Sequence, residues 1–155
     1  MPQLCKLRTI WFGAMLCLTA ACNPSDQQPG IWLNGSDADY PSDWTFTDAH
    51  REIAVEVNTP YFIAHSVTVW CAQVDGTLYI GARSPEEKNW PGWVDDEPNV
   101  RLLVNESIFE AALADVSATD EITTLEQAYI GKYDIDSMQQ AGATIRYWRV
   151  TPRPT

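Results

Sequence analysis

Apolar and polar side chains alternate through Val67–Val74 and again through Thr77–Ala82, two runs rich in β-branched and aromatic residues on either side of Asp75-Gly76. Asp-Gly suits a two-residue type I′ turn, whose central residues both need positive φ, so the pattern predicts a β-hairpin. A loop of that length fixes the register. Val74 faces Thr77, Ala72 faces Tyr79, Trp70 faces Gly81 and Thr68 faces Arg83, while Gln73, Cys71 and Val69 face Leu78, Ile80 and Ala82. Val69, Cys71, Leu78, Ile80 and Ala82 then make an aliphatic surface suited to a barrel interior. Thr68, Trp70, Tyr79 and Arg83 make a mixed aromatic and polar wall of the kind that meets a ligand or a second subunit.

The same periodicity extends outward from the hairpin. Ile53, Val55 and Val57 alternate with Ala54 and Glu56 up to Asn58-Thr59-Pro60, which predicts a strand and its end. Ahead of it, Ser42-Asp43 or Thr47-Asp48 starts a short helix that runs towards Ile53. Arg83–Trp93 holds two prolines and a glycine among polar and aromatic residues and cannot be a central strand. Its Trp90 and Trp93 read as closing a barrel mouth rather than stacking on a ligand. Val100–Val104 and Ser107–Val116 are two more strands. At Thr119 the period changes. Ile122, Leu125, Tyr129 and Tyr133 recur at three and four residues, Asp120 and Glu121 suit a first helical turn, and Thr123 with Glu126 suits a capping box. The aromatic stripe of this helix reads as core packing. Gly142 precedes a last strand, Ala143–Val150. The sum is a mainly β fold with added α, a small barrel with accessory helices.

A chain of 155 residues is enough for one domain with a buried core. Its net charge of −11 makes nucleic acid a poor partner, because phosphate neutralisation needs a basic surface. The sequence has no Gly-x-Ser-x-Gly elbow and no Gly-x-x-x-x-Gly-Lys loop. His50 and His65 fall in different elements without a ligand cysteine, which speaks against a dedicated zinc site. Asp95-Asp96-Glu97 lacks the alternating ligands of a calcium loop and reads as an exposed acidic turn.

The N-terminus reads as an address. Lys6 and Arg8 precede Ile10–Ala21, apolar except for Gly13 and Thr19, in the manner of a secretory signal and too short for a comfortable transmembrane helix. Leu18-Thr19-Ala20-Ala21-Cys22 resembles a bacterial lipobox, whose cysteine is lipidated and becomes the mature N-terminus. The expected organisation is a lipoprotein signal peptide at 1–21, a flexible tether at 22–41 interrupted by Ile31-Trp32-Leu33, and the domain at 42–155. This resemblance implies palmitate-type acylation and a membrane anchor at Cys22. With Asn23 next rather than Asp, it implies the periplasmic face of the outer membrane if the host is Gram-negative. Cys71 is then left without a partner and reads as a buried structural thiol.

Leu78-Tyr79-Ile80-Gly81-Ala82-Arg83-Ser84, Lys88 and Pro98-Asn99-Val100-Arg101-Leu102 follow one another in an order that resembles the flavin-binding split barrel of the pyridoxamine 5′-phosphate oxidase-like superfamily. Within it the chain is similar to small members that pair Val-x-Val-Trp, here Val67-Thr68-Val69-Trp70, with Ala-Tyr-x-x-Lys-Tyr, here Ala128 to Tyr133. Arg149-Val150-Thr151-Pro152 resembles their closing strand. The resemblance implies a split β-barrel with accessory helices, a homodimer, and FMN or deazaflavin in a groove at the subunit interface. Arg83, Ser84 and Lys88 would hold the phosphate, two cations and a hydroxyl answering its charge and acceptor oxygens. Thr68 and Trp70 would flank the ring, and Trp148 and Arg149 would reach the neighbouring subunit's site. Where oxidases carry a further cation on the strand, this chain has Ser66 or Val67. Two functions follow: an oxidoreductase-like flavin binder in which the cofactor supplies the redox chemistry, or a non-catalytic envelope module for binding or assembly that has lost the cofactor.

Overall fold

A computed structural model describes residue 30, residues 32–134 and residues 144–154. The signal stretch, the lipobox with Cys22, Ile31 and the Ala143 start of the last strand lie outside them. The strands are β1 (Ser36–Ala38), β2 (Glu52–Val57), β3 (His65–Val74), β4 (Thr77–Arg83), β5 (Asn99–Val104), β6 (Ser107–Asp115) and β7 (Ile145–Thr151). Two α-helices accompany them, α1 (Trp90–Asp96) and α2 (Thr119–Tyr133).

Six of the strands close a barrel in the order β6-β5-β2-β3-β4-β7, antiparallel throughout, with β6 and β7 as the closing pair. Strand β1 adds in parallel to β6. It fits there because β7 pairs with Ala112–Asp115, leaving the same edge open at Ser107–Phe109. The expected aliphatic face of the hairpin, Val69, Cys71, Leu78, Ile80 and Ala82, does line the interior with Val55, Val57, Leu102 and Val150. Helix α1 carries Pro91 in its first turn, where a missing N–H costs nothing, and sets Trp90 against Trp148 with ring centres 4.9 Å apart. The Pro-Gly segment thus closes the barrel, as its sequence predicts.

Around the turn the hairpin register holds. Asp75 and Gly76 have φ of 50° and 75°, and the pairs run from Val74 with Thr77 to Cys71 with Ile80. There the ladder stops. Beyond it β3 continues against β2, Trp70 opposite Glu52 and Thr68 opposite Ala54, while β4 turns to β7, Gly81 opposite Tyr147 and Arg83 opposite Ile145. The expected pairs Trp70–Gly81, Val69–Ala82 and Thr68–Arg83 are absent from this ladder: β3 and β4 separate beyond Cys71 and Ile80, each still paired along its other edge.

Local signals near the other elements fare unevenly. The Asp43 carboxylate accepts the Thr45 N–H at 2.7 Å and starts a single 3₁₀ turn, Thr45–Ala49, in place of a longer helix. Helix α2 begins at Thr119 with no side-chain cap, and Thr123 donates back to the Thr119 carbonyl at 2.9 Å, so the Thr123–Glu126 capping box does not form.

The stretch expected as tether belongs in part to the domain. Gly30 bridges to Ser66, and Leu33 packs on Ala54, Leu103 and Ile108 while its N–H donates to the Glu56 carboxylate at 2.6 Å. Gly35 lies so close to the barrel that a Cβ there would meet the Glu106 carbonyl at 2.7 Å. Residues 32–38 therefore form a strap across the outer face of β2, β5 and β6. Glu56, buried, also accepts from Arg101 at 3.0 Å. Glu56→Gln keeps the shape and removes the charge, so it should lower stability by about 1.5–3 kcal/mol and speed proteolysis within the strap. Denaturant titration and limited digestion read the two effects.

Candidate functional site

The site of interest lies where β3 and β4 separate. A parted ladder leaves backbone groups that need partners, and helix α2 supplies them from two tyrosines four residues apart on one face. The Tyr129 hydroxyl is 3.1 Å from the Trp70 carbonyl and 3.3 Å from that of Tyr79. The Tyr133 hydroxyl accepts the Cys71 N–H at 2.9 Å and lies within donating distance of the Arg51 and Cys71 carbonyls, at 2.6 and 2.8 Å. Burial pushes both phenols above the ordinary tyrosine range and Tyr147 up to about 12, so all three stay protonated and can donate at any physiological pH.

The rings form one stack. Tyr133 lies on the Trp70 indole with centres 4.3 Å apart and planes within 7°, Tyr129 follows at 5.7 Å, and Tyr147 meets Tyr129 at 5.5 Å. Tyr147 and Tyr129, not Trp70, cover Gly81. A Cβ at Gly81 would stand 3.2 Å from the Tyr147 ring and 3.4 Å from the Tyr129 hydroxyl, so a side chain here would require the tyrosine rings to give by a few tenths of an ångström. Beside the stack, Lys132 donates to the Thr47 carbonyl at 2.9 Å and sits 3.5 Å from the Cys71 sulfur. Burial raises the Cys71 thiol more than that ammonium lowers it, which leaves a fully buried, unreactive thiol of the kind expected.

The residues singled out from the sequence fall into separate places. Thr68 lines a cavity of about 240 Å³ with His50, Glu52, Ala54, Leu103 and Asn105. Trp70 donates its indole N–H to Glu52 at 3.3 Å and gives its ring face to Tyr133. Arg83, Ser84 and Lys88 share the loop after β4, where Ser84 adopts φ 48° and Lys88 donates to the Arg83 carbonyl. Trp148 is a correction: it is 1% exposed inside the barrel, held between Trp90 and the Arg146 guanidinium, and cannot reach a neighbouring subunit. Arg149 is outside, but it donates from Nε and Nη2 to Glu121, which also accepts from Tyr79 at 2.9 Å. The Arg149 hydrogen bonds hold the Glu121 carboxyl below the usual range.

Within one chain these residues do not come together as a single flavin-sized pocket. Tyr133 covers one face of the Trp70 indole, which stays 39% exposed, and the Thr68 cavity falls below the roughly 300 Å³ at which cofactor-sized pockets begin. Glu52 also sets a carboxylate on that cavity's wall. The loop of Arg83, Ser84 and Lys88 retains the chemistry suited to a phosphate. Among the described residues no group of His, Cys, Asp and Glu could hold a metal ion, and no helix is long and apolar enough to cross a membrane.

No protein-family model and no curated protein matches the sequence. Solved structures match by shape. A conserved hypothetical protein, Rv2991 from Mycobacterium tuberculosis, superposes with a TM-score of 0.57 at 15% identity over 70% of this chain and 77% of its own. A candidate pyridoxamine 5′-phosphate oxidase from Listeria innocua gives 0.54 at 12% identity over 69% and 87%. The fold is the split barrel of pyridoxamine 5′-phosphate oxidase-like proteins. A candidate 5-nitroimidazole antibiotic resistance protein from Bacteroides thetaiotaomicron shares it, with a TM-score of 0.52 at 13% identity over 65% and 72%. In this split barrel the opening between β3 and β4 is filled by the chain's own tyrosines. The spacing of Tyr129 and Tyr133 was visible in the sequence as a core stripe, but nothing in it announced that their hydroxyls would satisfy a broken ladder.

Proposed function

We propose that the protein is a lipid-anchored envelope protein whose split barrel works as a non-catalytic module for binding or assembly. The observation that carries the reading is Tyr133 on Trp70: a ring held parallel at 4.3 Å and tied by its hydroxyl to two backbone segments covers one face of the indole that the cofactor reading would use. Releasing it would leave Cys71 N–H without its buried partner. The anchor rests on the lipobox ending at Cys22, which supports acylation there and the outer-membrane periplasmic face in a Gram-negative host. A solved neighbour described as a domain-swapped dimer, with a TM-score of 0.55 at 11% identity over 65% of this chain and 80% of its own, supports a second copy as one partner.

A second reading is favoured by Arg83, Ser84 and Lys88 on one loop: binding of FMN or deazaflavin in an oxidoreductase-like site. Titrating FMN with the purified full chain separates the two. Fluorescence unquenched at about 100 μM protein, a regime in which even weak cofactor sites fill, supports the module. Micromolar quenching that weakens about tenfold, or 1.4 kcal/mol, in the double variant Arg83→Ala, Lys88→Ala would establish the second reading and end the first. The mass of the N-terminal peptide reports acylation of Cys22 directly.

A further inference from the structure

The loop joining β2 to β3 carries Tyr61, Phe62 and Ile63, with exposures of 53%, 96% and 49%. Of the three, Phe62 lies almost wholly in water and gains nothing for the fold there. Yet the loop has a defined shape. The Thr59 hydroxyl donates to the Ile63 carbonyl at 2.6 Å, the Phe62 N–H donates to the Thr59 carbonyl at 3.1 Å, and Tyr61 stands edge-on to Trp93 at 5.8 Å. Phe62 itself holds φ 62°, a region that bulky residues avoid. A position that exposes its side chain fully and sits in left-handed backbone would fold more easily with glycine. Phenylalanine there answers to something outside the domain.

What lies outside is indicated by where the chain leaves the barrel. Gly30 bridges to Ser66, three residues beyond Ile63, so the N-terminal segment departs beside this loop. Cys22 precedes Gly30 by eight residues, a reach of at most about 29 Å. Trp32, 63% exposed, sits on the same side, between the Gly30–Ser66 bridge and the Leu33–Glu56 bond. We propose that Tyr61-Phe62-Ile63 is a finger that enters the lipid interface and seats the barrel on the bilayer to which Cys22 is anchored. The proposal rests on the lipid-anchor reading. Phenol and indole groups settle at headgroup level, while Phe and Ile enter the acyl boundary. At the base of the finger Asp96 and Glu97 border a cavity of about 120 Å³ with Pro60 and Trp93, and their charge disfavours anionic headgroups. The surface that fits is zwitterionic. Seated so, the Asp75-Gly76 and Asn105-Glu106 turns, at the far ends of β3 and β5, point away from the membrane.

The test uses the full chain, processed in a bacterial envelope and reconstituted in phosphatidylcholine vesicles. Phe62→Cys is labelled with an environment-sensitive nitrobenzoxadiazole dye. Cys71 is fully buried and a lipidated Cys22 has no free thiol, so one label per chain is expected, and the mass spectrum counts it. The emission should shift to the blue and rise about threefold on reconstitution, as a dye leaving water does, and brominated acyl chains should quench it. A label at Glu106→Cys should do neither. If the Cys22 lipid is present and the dye at 62 still reports water, the finger is overturned and the anchor stands. Extra labels with no lipid mass overturn the anchor instead. A dye at 62 that is shielded without vesicles and deaf to brominated lipid marks a protein contact and also overturns the finger. Phe62→Gly supplies a second measurement: its denaturation midpoint should equal or exceed that of the parent, while its retention on vesicles after lipase has cleaved the ester-linked acyl chains at Cys22 should fall below that of the parent treated in the same way.

Discussion

Tyr133→Ala should lower the free energy of unfolding by about 3–5 kcal/mol, the usual cost of deleting a buried aromatic ring. Two losses combine. The ring leaves a gap between Trp70 and Tyr129, and the hydroxyl leaves the buried Cys71 N–H unpaired beside two carbonyls. Tyr133→Phe separates them: it keeps the stack and removes only the hydroxyl, so the cost should fall to about 1–3 kcal/mol, the penalty of an unsatisfied buried group. Denaturant unfolding followed by tryptophan emission measures both, since Trp70 becomes more exposed only in the alanine variant. If Tyr133→Ala is no more costly than a surface change, the helix is not what closes the split, and the reading of the site as self-filled loses its basis.

Trp148→Ala should cost about 3–5 kcal/mol as well, by opening a cavity in the middle of the barrel. Its ring lies among the interior side chains against Trp90, while Arg146 covers it from 4.7 Å with its guanidinium held by Asp95 and Asp115, each at 2.6 Å. The loss should therefore loosen α1 against β7 together with the core. Urea titration at two protein concentrations is the decisive measurement. A midpoint that drops equally at both concentrations marks a core residue. A midpoint that drops only when the protein is concentrated would mean that Trp148 serves a subunit contact, contrary to its burial.

The cell-envelope and finger readings give the fold a direction. A strap that lies across β2, β5 and β6 and an exposed loop beside its exit bring the end of the chain that leads towards Cys22 and Tyr61-Phe62-Ile63 to one end of the barrel. The acidic remainder of the surface then faces the aqueous side, where it suits solubility and discourages contact with anionic polymers.

Much of this architecture was legible residue by residue. Asp75-Gly76 determined the turn and the first four pairs beside it, alternation determined which hairpin face is inside, and the change of period at Thr119 determined α2. The family resemblance sent Trp148 and Arg149 to one site, although strand neighbours face opposite ways. Which of them turns inward was decided only by tertiary pairing, with Trp148 opposite the interior Ile80 and Arg149 opposite Tyr79. The same holds for the split: where β3 and β4 part, the hydroxyls of Tyr129 and Tyr133, some fifty to eighty residues further along the chain than their partners, take up the backbone groups, and local pattern carries no record of such a partner. The strap escaped notice for a related reason. Its polar composition matches a tether, and its place in the domain depends on one leucine and on a glutamate 23 residues away. Local chemistry fixed the turn, the helix and the inner face, since each depends on contacts within a few residues; the filled site, the strap and the inward tryptophan came from contacts that exist only once the barrel has closed.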